Sequence, residues 1–391
     1  MKKNNNEFQE IAHCGGQFTI NVKTNEDGRR GIQFGMRHSR PTPMALFGIY
    51  VLPQGIPVGT IQLGGIGDPW NPAPTADSLP VFISSDSHGM FGHQCPQCKG
   101  YWRSKGAPSR WRMTCTYCGL RAETHYFITD GQMKYIEACC GLVQQAMISE
   151  KDGEFVINMD EVADAAVKKT KKPKFYYAEE SQQNKFNCEA CGSLNDILGR
   201  FGYCSSCGSH NGKIEINIEI KKINERIKIG NQFEACVKDA VAAFDSYARQ
   251  IAKQFVNRIP MTPSRKNHWK RKLFHNLKSC ANDIQAVFDI DIFKNIKKED
   301  IDFAILMFHR RHVYEHNGGE VDEKYIRDSG DKSVRPKQLI RESSDSAFRI
   351  SSIVLEMVEN MHTGFHSIFP AEELPLKYHS DKLKRLGKNK K

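Results

Sequence analysis

The chain has 391 residues, more than one ordinary hydrophobic core requires, so its length predicts several domains. A hydrophobic content of 39% and a charged content of 26% exclude a disordered or fibrous protein. No apolar run approaches the ~18 residues of a membrane-spanning helix, and no apolar segment follows the lysines near the N-terminus. We therefore predict a cytoplasmic protein with neither a secretory signal nor a membrane partner.

Positive charge is concentrated in two segments of this chain, whose net charge is +11. They read KKTKKPK, at 168–174, and KYHSDKLKRLGKNKK, at 377–391. Basic clusters of this kind bind phosphate backbones by releasing counterions, without regard to base sequence. They are equally typical of a solvated linker and a solvated tail, so both interpretations stay open.

The N-terminal part of the chain alternates short apolar runs with glycine and proline, a pattern typical of short strands joined by turns. We predict a small β-rich domain over 1–90 and find no catalytic motif in it. The apolar runs are FTINV, GIQFGM, LFGIYVL, VGTIQL and LPVFIS.

Cysteine spacing predicts two metal sites. The two-residue gap of a Cys-x-x-Cys pair lets both thiolates face one ion, and two pairs complete the four-thiolate shell that structural zinc prefers. Redox-active pairs and iron–sulfur ligation are weaker interpretations of so regular a pattern. We predict two structural Zn²⁺ ions, one in a zinc ribbon over 91–130 and one in a second ribbon over 184–222. The predicted ligands are Cys95, Cys98, Cys115, Cys118, Cys188, Cys191, Cys204 and Cys207.

The loop of the first predicted ribbon combines aromatic with basic side chains. Such a mixture can stack on bases and hold phosphates, or it can form a hydrophobic cover over the metal site. Because a closed four-cysteine shell leaves no open coordination position, we expect the ribbons to serve structure or recognition and not catalysis. The loop residues are Trp102, Arg103, Lys105, Arg110, Trp111 and Arg112.

The stretch between the ribbons, 131–183, is predicted to hold a helix and then a basic connector. Its apolar residues follow a helical period over Lys134–Ser149, and charged residues dominate from there to about Gln183. After the last cysteine pair, the sequence KIEINIEI at Lys213–Ile220 alternates strictly between apolar and polar residues, which predicts a strand.

The apolar period becomes helical in the C-terminal third and predicts an up-and-down bundle of four helices over 223–372, followed by a basic tail over 373–391. The predicted fold class is therefore multidomain α+β, with a small N-terminal β domain, two zinc ribbons and a C-terminal helical bundle. The first helix ends near Pro260, and the second carries Trp269 to Phe288. The third opens near Glu299 and stops at Gly318, and the fourth opens near Ser344.

The third predicted helix ends in the segment His309–Lys324, which reads HRRHVYEHNGGEVDEK. In it, His312 directly follows Arg311, and His316 follows four residues later. A guanidinium offers fixed positive charge for a phosphate, and an imidazole can move a proton near neutral pH. These groups are sufficient to cut RNA without a metal ion.

This segment, third in a four-helix bundle, resembles the HEPN (higher eukaryotes and prokaryotes nucleotide-binding) superfamily over about residues 229–370. The nuclease signature of that family is Arg, then Asn, Asp or His, then three residues, then His. It falls on Arg311, His312 and His316. The resemblance implies an endoribonuclease that needs no catalytic cofactor and acts as a homodimer, in phage defence, toxin–antitoxin pairs or RNA processing.

RNA is therefore the predicted substrate, and 2′-hydroxyl attack should leave a 2′,3′-cyclic phosphate. His316 is expected to act as general base or acid, Arg311 to stabilise the phosphorane and His312 to orient the phosphate. Arg310 and Asn317, which flank these residues, are predicted to bind substrate. Because uncontrolled cutting would harm the cell, we expect the β domain and ribbons to receive a protein or nucleic-acid trigger.

Other interpretations of the motif stay open. Residues five apart on an ideal helix are rotated by about 140°, so Arg311 and His316 diverge unless the helix ends there or two chains share a site. His309, His312 and His316 share one helical face and could bind a transition metal. Alternatively, Arg311 pairs with Glu315 one turn on while the histidines pack at a bundle interface. A separate, non-enzymatic hypothesis is a zinc-ribbon adaptor that binds nucleic acid and uses the bundle only for dimerisation.

Overall fold

The computed structural model describes most of the chain as two compact units. One lies within Met1–Gly208 and Glu372–Lys391, and the other lies within Ser209–Ala371. The basic segment 168–174 lies outside the described residues. Those residues are 9–10, 16–38, 45–62, 71–85, 89–149, 151–158, 177–178, 183–230 and 232–388.

The N-terminal part of the first unit is built from two small antiparallel sheets, and the five predicted apolar runs all form strands. Strand β4 is central in one sheet, with order β5-β4-β6, and strand β2 lies beside β3 in the other. The two-residue strand β1, Gln9–Glu10, precedes them. The strands are β2 (Gly16–Thr24), β3 (Arg30–His38), β4 (Leu46–Val51), β5 (Pro57–Ile61) and β6 (Leu79–Ser84).

Helix α1, Asp130–Ile148, confirms the helix predicted in this region and completes the core of the strands. Thr129 begins it with a capping box, accepting a hydrogen bond from the Gln132 backbone while the Gln132 side chain reaches back. Ile136 of α1 and Ile20 of β2 are both fully buried in the same hydrophobic cluster. The apolar face of the sheet is thus covered by a helix that follows the first ribbon in sequence.

The connector predicted after this helix is partly wrong. Residues Gly153–Asn158 form strand β11, which pairs antiparallel with β2 from Gly153 opposite Val22 to Asn158 opposite Gln17. The sequence GEFVIN is too short to reveal its partner strand, which lies more than a hundred positions earlier. A further two-residue strand, β12 (Tyr177–Ala178), pairs with β1.

The two cysteine-bearing ribbons share one four-stranded sheet, which the sequence did not predict. Its order is β13-β14-β8-β7, and β14 meets β8 through the pairs Asn195 with Ser104 and Asp196 with Arg103. A separate short hairpin joins β9 to β10. The strands are β7 (Phe91–Gln94), β8 (Tyr101–Ser104), β9 (Met113–Thr114), β10 (Arg121–Ala122), β13 (Gln183–Asn187) and β14 (Leu194–Leu198).

The second unit is helical, and its first helix corrects the strand predicted at Lys213–Ile220. These residues belong to helix α2, Gly212–Ile229. Its buried isoleucines, at 216, 220, 223 and 227, recur every three or four positions and so form one helical face. Ile218, which the strand pattern would bury with them, is 48% exposed. The helical period over the longer segment therefore prevails over the local alternation.

The remaining helices confirm three of the four predicted in the bundle and divide the second. The predicted second helix is interrupted between α4 and α5, where Asn276 caps a new helix by accepting from the Ser279 backbone. The helices are α3 (Phe233–Arg258), α4 (Pro263–Arg271), α5 (Leu277–Phe288), α6 (Lys298–His316), α7 (Glu323–Ser329) and α8 (Ser344–Ile368).

The segment predicted as a basic tail forms helix α9, Glu373–Lys388, and this helix belongs to the first unit. Among the described helices, none is both long and apolar enough to cross a membrane.

Candidate functional site

The first four-cysteine group lies at the ends of two turns that follow β7 and β9. The Cys95 sulfur lies 3.7 Å from that of Cys118, and the Cys98 sulfur lies 3.6 Å from that of Cys115. Each turn closes with a backbone hydrogen bond to the first cysteine carbonyl, from Lys99 in one and from Gly119 in the other. The knuckle geometry expected from the spacing is therefore present.

The second group is buried more completely. The Cys188 sulfur lies 3.6 Å from that of Cys207, and the Cys191 sulfur lies 3.5 Å from that of Cys204. The Asn195 amide donates to the Cys204 sulfur at 3.5 Å. Hydrogen bonding to a ligand sulfur is a common support for a thiolate at a metal site.

Both groups fit a tetrahedral metal ion. Zn–S distances of about 2.3 Å place the four sulfurs of a regular tetrahedron about 3.8 Å apart. The closest sulfur pairs in the two groups are 3.5 to 3.7 Å apart, and all four sulfurs of each group lie within 4.8 Å of one another. Each group can therefore hold one metal ion with cysteine ligands alone.

Two residues of the first ribbon's loop are buried against its neighbours, and one of them has the covering role left open by the sequence. Trp102 is 1% exposed and packs with Cys95, Cys115 and Phe127 in one hydrophobic cluster, so it covers the first cysteine group. Arg103 is also buried, and its Nη2 lies 2.6 Å from the Asp196 carboxylate across the joint between the ribbons. Neither side chain is available to nucleic acid.

The predicted catalytic residues all lie on the last turns of α6. The Arg311 Nη2 forms an ion pair with the Glu315 carboxylate at 2.5 Å, as the non-catalytic interpretation expects. His312 and His316 are exposed, and their ring centroids are 4.6 Å apart. The helix continues to His316, so within one chain Arg311 is turned away from His316 while the two imidazoles are neighbours.

Arg310, predicted to bind substrate, is instead the centre of a buried ion-pair network. Its Nη1 lies 3.0 Å from Glu342 and its Nη2 lies 3.0 Å from Asp331. Tyr325 donates to the same Asp331 carboxylate at 2.7 Å, and Tyr314 donates to Glu342 at 2.5 Å. With both carboxylates at most 3% exposed, the two terminal nitrogens of Arg310 hold the segment after α7 and the segment before α8.

Asn317, the other predicted substrate-binding residue, is exposed just beyond the end of α6. Its side-chain amide donates to the Asp322 carboxylate at 3.0 Å, and Asp322 in turn caps α7 by accepting from the Tyr325 backbone at 2.7 Å. Gly318 and Gly319 make the turn between these helices with φ values of 61° and 91°. The turn ends the helix as the sequence predicted.

An open cleft of about 820 Å³ lies along α6 and contains the motif's middle histidine. His309 and His312 contribute from α6, and Arg271, His275 and Lys324 contribute from the elements opposite. The last three were missed by sequence reasoning, although the basic run RKNHWKRKLFHNLK at 265–278 could have indicated two of them. The cleft therefore combines imidazoles and positive charge, which suit phosphate recognition, with the carboxylates of Asp322 and Asp328.

The environment of the cleft lowers the pKa of both its α6 histidines. The pKa of His312 is lowered by partial desolvation and by nearby positive groups, including His316 and Lys324. The pKa of His309 is lowered by burial, against an opposing effect of Asp328. A neutral imidazole can accept a proton, so both residues are suited to general-base chemistry near neutral pH.

The three-histidine metal site is not assembled within one chain. Among the residues that the structure describes, three or more potential ligand atoms lie within 4.8 Å of one another only in the two four-cysteine groups. His309, His312 and His316 thus share a helix face without converging on one ion.

Comparisons of the chain with protein-family models, with curated proteins and with solved structures found no match. The HEPN resemblance consequently depends on the α6 motif and on the helical unit that carries it.

Proposed function

We propose that this chain is a metal-independent endoribonuclease of the HEPN type, with Arg311, His312 and His316 as its catalytic residues. The observation that carries the proposal is the position of His312. It lies in the wall of the open cleft, beside the imidazole of His316, in surroundings that lower its pKa. Two adjacent imidazoles can serve as proton acceptor and proton donor in one reaction.

In the proposed reaction, one imidazole takes the proton of an RNA 2′-hydroxyl, and the 2′-oxygen forms a bond to phosphorus. The P–O5′ bond breaks, and the leaving 5′-oxygen takes a proton from the second, protonated imidazole. The products are a 2′,3′-cyclic phosphate and a 5′-hydroxyl. Arg311 stabilises the added negative charge on the phosphorane.

The ion pair of Arg311 with Glu315 does not prevent this role. The Arg311 side chain is 18% exposed and that of Glu315 is 39% exposed, and surface pairs one helical turn apart stabilise a helix by only about 0.3–0.5 kcal/mol. A phosphate, with two charged oxygens for the guanidinium fork, can displace such a partner. Because Arg311 and His316 diverge on one helix, we propose that two chains share each site in a homodimer.

We expect His316→Ala and Arg311→Ala to lower the rate of RNA cleavage on the order of 10²- to 10⁴-fold, as loss of a proton-transferring or charge-stabilising group does. Cleavage of a mixed RNA pool in mild EDTA measures this, with circular dichroism confirming the fold. The matched control is Arg327→Ala, because Arg327 is 73% exposed and outside the motif. RNA cut by the wild type must carry 2′,3′-cyclic phosphate ends, and DNA must survive.

Mixing the two inactive variants tests the shared site. If Arg311 of one chain acts with His316 of the other, a mixed dimer of His316→Ala and Arg311→Ala contains one intact site and recovers part of the activity. If mixed dimers form but stay inactive, the shared site is rejected. The nuclease proposal itself is then decided by the cleavage rates of the single variants.

The pH dependence of cleavage should follow the lowered pKa of His312. As proton acceptor, His312 must be neutral, so the rate should hold as the pH falls through about 6.5, the ordinary histidine pKa, and decline only below it. Lys324 lowers that pKa by its charge, so Lys324→Gln should raise it and move the acidic decline upward. The His312 titration, followed by NMR, must shift in the same direction as the rate profile. A decline that does not move with the His312 pKa would exclude His312 as the acceptor.

The Arg311–Glu315 ion pair also favours a second candidate, the nucleic-acid-binding adaptor without catalysis. An adaptor would bind RNA, leave it intact under every condition that activates a nuclease, and tolerate alanine at His316. We further propose zinc as the metal in both four-cysteine groups, because closed four-thiolate shells are typical of structural zinc.

A further inference from the structure

The first unit contains a groove of about 650 Å³ that neither the catalytic motif nor the cysteine groups explain. One wall is the loop of the first ribbon, including Lys105 and Trp111; another is the knuckle of the second ribbon around Gly192; the third is α9, including Tyr378. Sequence positions almost three hundred residues apart therefore meet in one surface feature.

Helix α9 is fixed in this position by contacts to the second ribbon. The Glu372 backbone donates to the Cys207 carbonyl at 2.8 Å, and Leu376 packs against the cluster of four cysteines. His379 lies directly over Gly192, where any side chain would overlap the imidazole ring. The basic C-terminal segment is thus a folded wall of the groove.

An aromatic pair lies in the groove. The ring centroids of Trp111 and Tyr378 are 6.1 Å apart with an interplanar angle of 48°. Trp111 is held in place by a hydrogen bond from its indole nitrogen to the Ser206 hydroxyl at 3.2 Å. Tyr378 is 62% exposed, so its ring is accessible to a ligand. The pair offers a platform on which a flat group can stack.

The charge of the groove has one sign. Lys105, Arg110 and Lys382 line it, and none of its described lining residues is acidic. Asn187 and five serines complete the polar part of the lining, although the hydroxyls of Ser104 and Ser205 already donate to the Gly106 carbonyl and the Asn195 side-chain oxygen. Besides Trp111 and Tyr378, the apolar side chains of the lining are one leucine, one alanine and one proline.

We propose that this groove binds single-stranded nucleic acid, with a base stacked at Trp111 and Tyr378 and the neighbouring phosphates held by Lys105, Arg110 and Lys382. A single strand presents its base faces to an aromatic platform, whereas a duplex keeps them stacked inside. The groove belongs to the unit without the catalytic motif, so this inference holds for a nuclease and for an adaptor alike.

Binding of fluorescent oligonucleotides to the full-length protein, measured by anisotropy, tests the proposal. The probes are a single-stranded 2′-O-methyl RNA, which cannot be cut by 2′-hydroxyl attack, a single-stranded DNA of the same sequence, and the corresponding duplex. We expect both single strands to bind more tightly than the duplex. A preference between RNA and DNA identifies which strand the groove takes.

Two variants locate the binding site. Tyr378→Leu should weaken single-strand binding about tenfold, because the stacking of one base on an aromatic ring raises affinity by roughly that factor. Its control is Tyr126→Leu, since Tyr126 is 58% exposed in the same unit and outside the groove. Lys382→Glu should also weaken binding and reduce the dependence of affinity on salt, as loss of a phosphate contact does.

The control for Lys382→Glu is Lys384→Glu, on the same helix. Lys384 interacts with Asp381 and does not line the groove, so this variant makes the same charge change elsewhere. Equal losses in both lysine variants would overturn the proposal in favour of diffuse attraction to α9. Duplex binding as tight as that of single strands, or full displacement by an acidic peptide, would overturn it as well. A variant that loses single-strand binding but still cleaves RNA would show that the groove is distinct from the catalytic site.

Discussion

Cys204→Ser is expected to unfold the second ribbon and to halve the metal content of the protein. Cys204 is 0% exposed, and its sulfur lies 3.5 Å from that of Cys191 inside the second four-cysteine group. Binding of structural zinc contributes on the order of 10 kcal/mol to folding such sites, which is comparable to the whole stability of an ordinary domain. A serine hydroxyl is a poor replacement for a thiolate ligand, so most of that contribution is lost.

The matched control is Cys140→Ser, a buried cysteine of the same unit outside both groups. Cys140 contacts the Leu52 carbonyl at 3.8 Å, and a serine hydroxyl can donate there too, so we expect a cost of about 1–2 kcal/mol. Elemental analysis should find two zinc ions per wild-type chain and in Cys140→Ser, but one in Cys204→Ser. The thermal unfolding temperatures of the wild type and both variants then compare their stabilities. Two ions and an unchanged unfolding temperature in Cys204→Ser would refute the assignment.

Arg310→Ala is expected to destabilise the helical unit by about 3–5 kcal/mol, the usual cost of removing one partner from a buried ion pair. Asp331 and Glu342 are at most 3% exposed, and Arg310 is the positive side chain paired with both. The substitution would remove that charge from two buried carboxylates. The pKa of Asp331 shows this dependence: burial raises it, but hydrogen bonds from Ser333, Tyr325 and Arg310 outweigh burial and hold it at about 2.

Arg327→Ala serves as the control, because Arg327 is 73% exposed and pairs only with its neighbour Asp328. Surface pairs of this kind contribute about 0–1 kcal/mol. Denaturant unfolding of both variants measures the difference. Near-equal free energies of unfolding would mean that Arg310 is replaceable in the core and is available for the substrate role predicted from the sequence.

This outcome also bears on the catalytic proposal. Arg310 and Arg311 are adjacent in sequence, yet Arg310 pairs with buried carboxylates whereas Arg311 pairs with the 39% exposed Glu315. Loss of cleavage in Arg310→Ala is therefore expected to accompany loss of folding, whereas Arg311→Ala should lose cleavage in a folded protein. Comparing the two variants separates the structural arginine from the proposed catalytic one.

Several features of this protein follow from the sequence because they depend only on residues a few positions apart. The Cys-x-x-Cys turns set the positions of their own sulfurs, so the spacing of the four pairs predicted both metal groups. Helix α6 stops at His316 because Gly318 and Gly319 take positive φ values that disfavour other residues. Likewise, the apolar period of α3 and α8 was enough to predict where these helices run.

Other features were decided by contacts between distant parts of the chain. The two ribbons are joined by the ion pair of Arg103 with Asp196, and α9 packs on the second ribbon with His379 over Gly192. No local sequence pattern specifies either contact. Even at Lys213–Ile220, local alternation was misleading, because burial of the longer isoleucine face selects a helix.

The same distinction applies to the proposed active site. The motif identified Arg311, His312 and His316, whose types and spacing are local properties of one helix. Only the tertiary structure assigned Arg310 to the core and brought Arg271, His275 and Lys324 to the cleft beside His312. The physical reason is that partners for a buried charge, and the walls of a cleft, come from elements that meet only after the chain has folded.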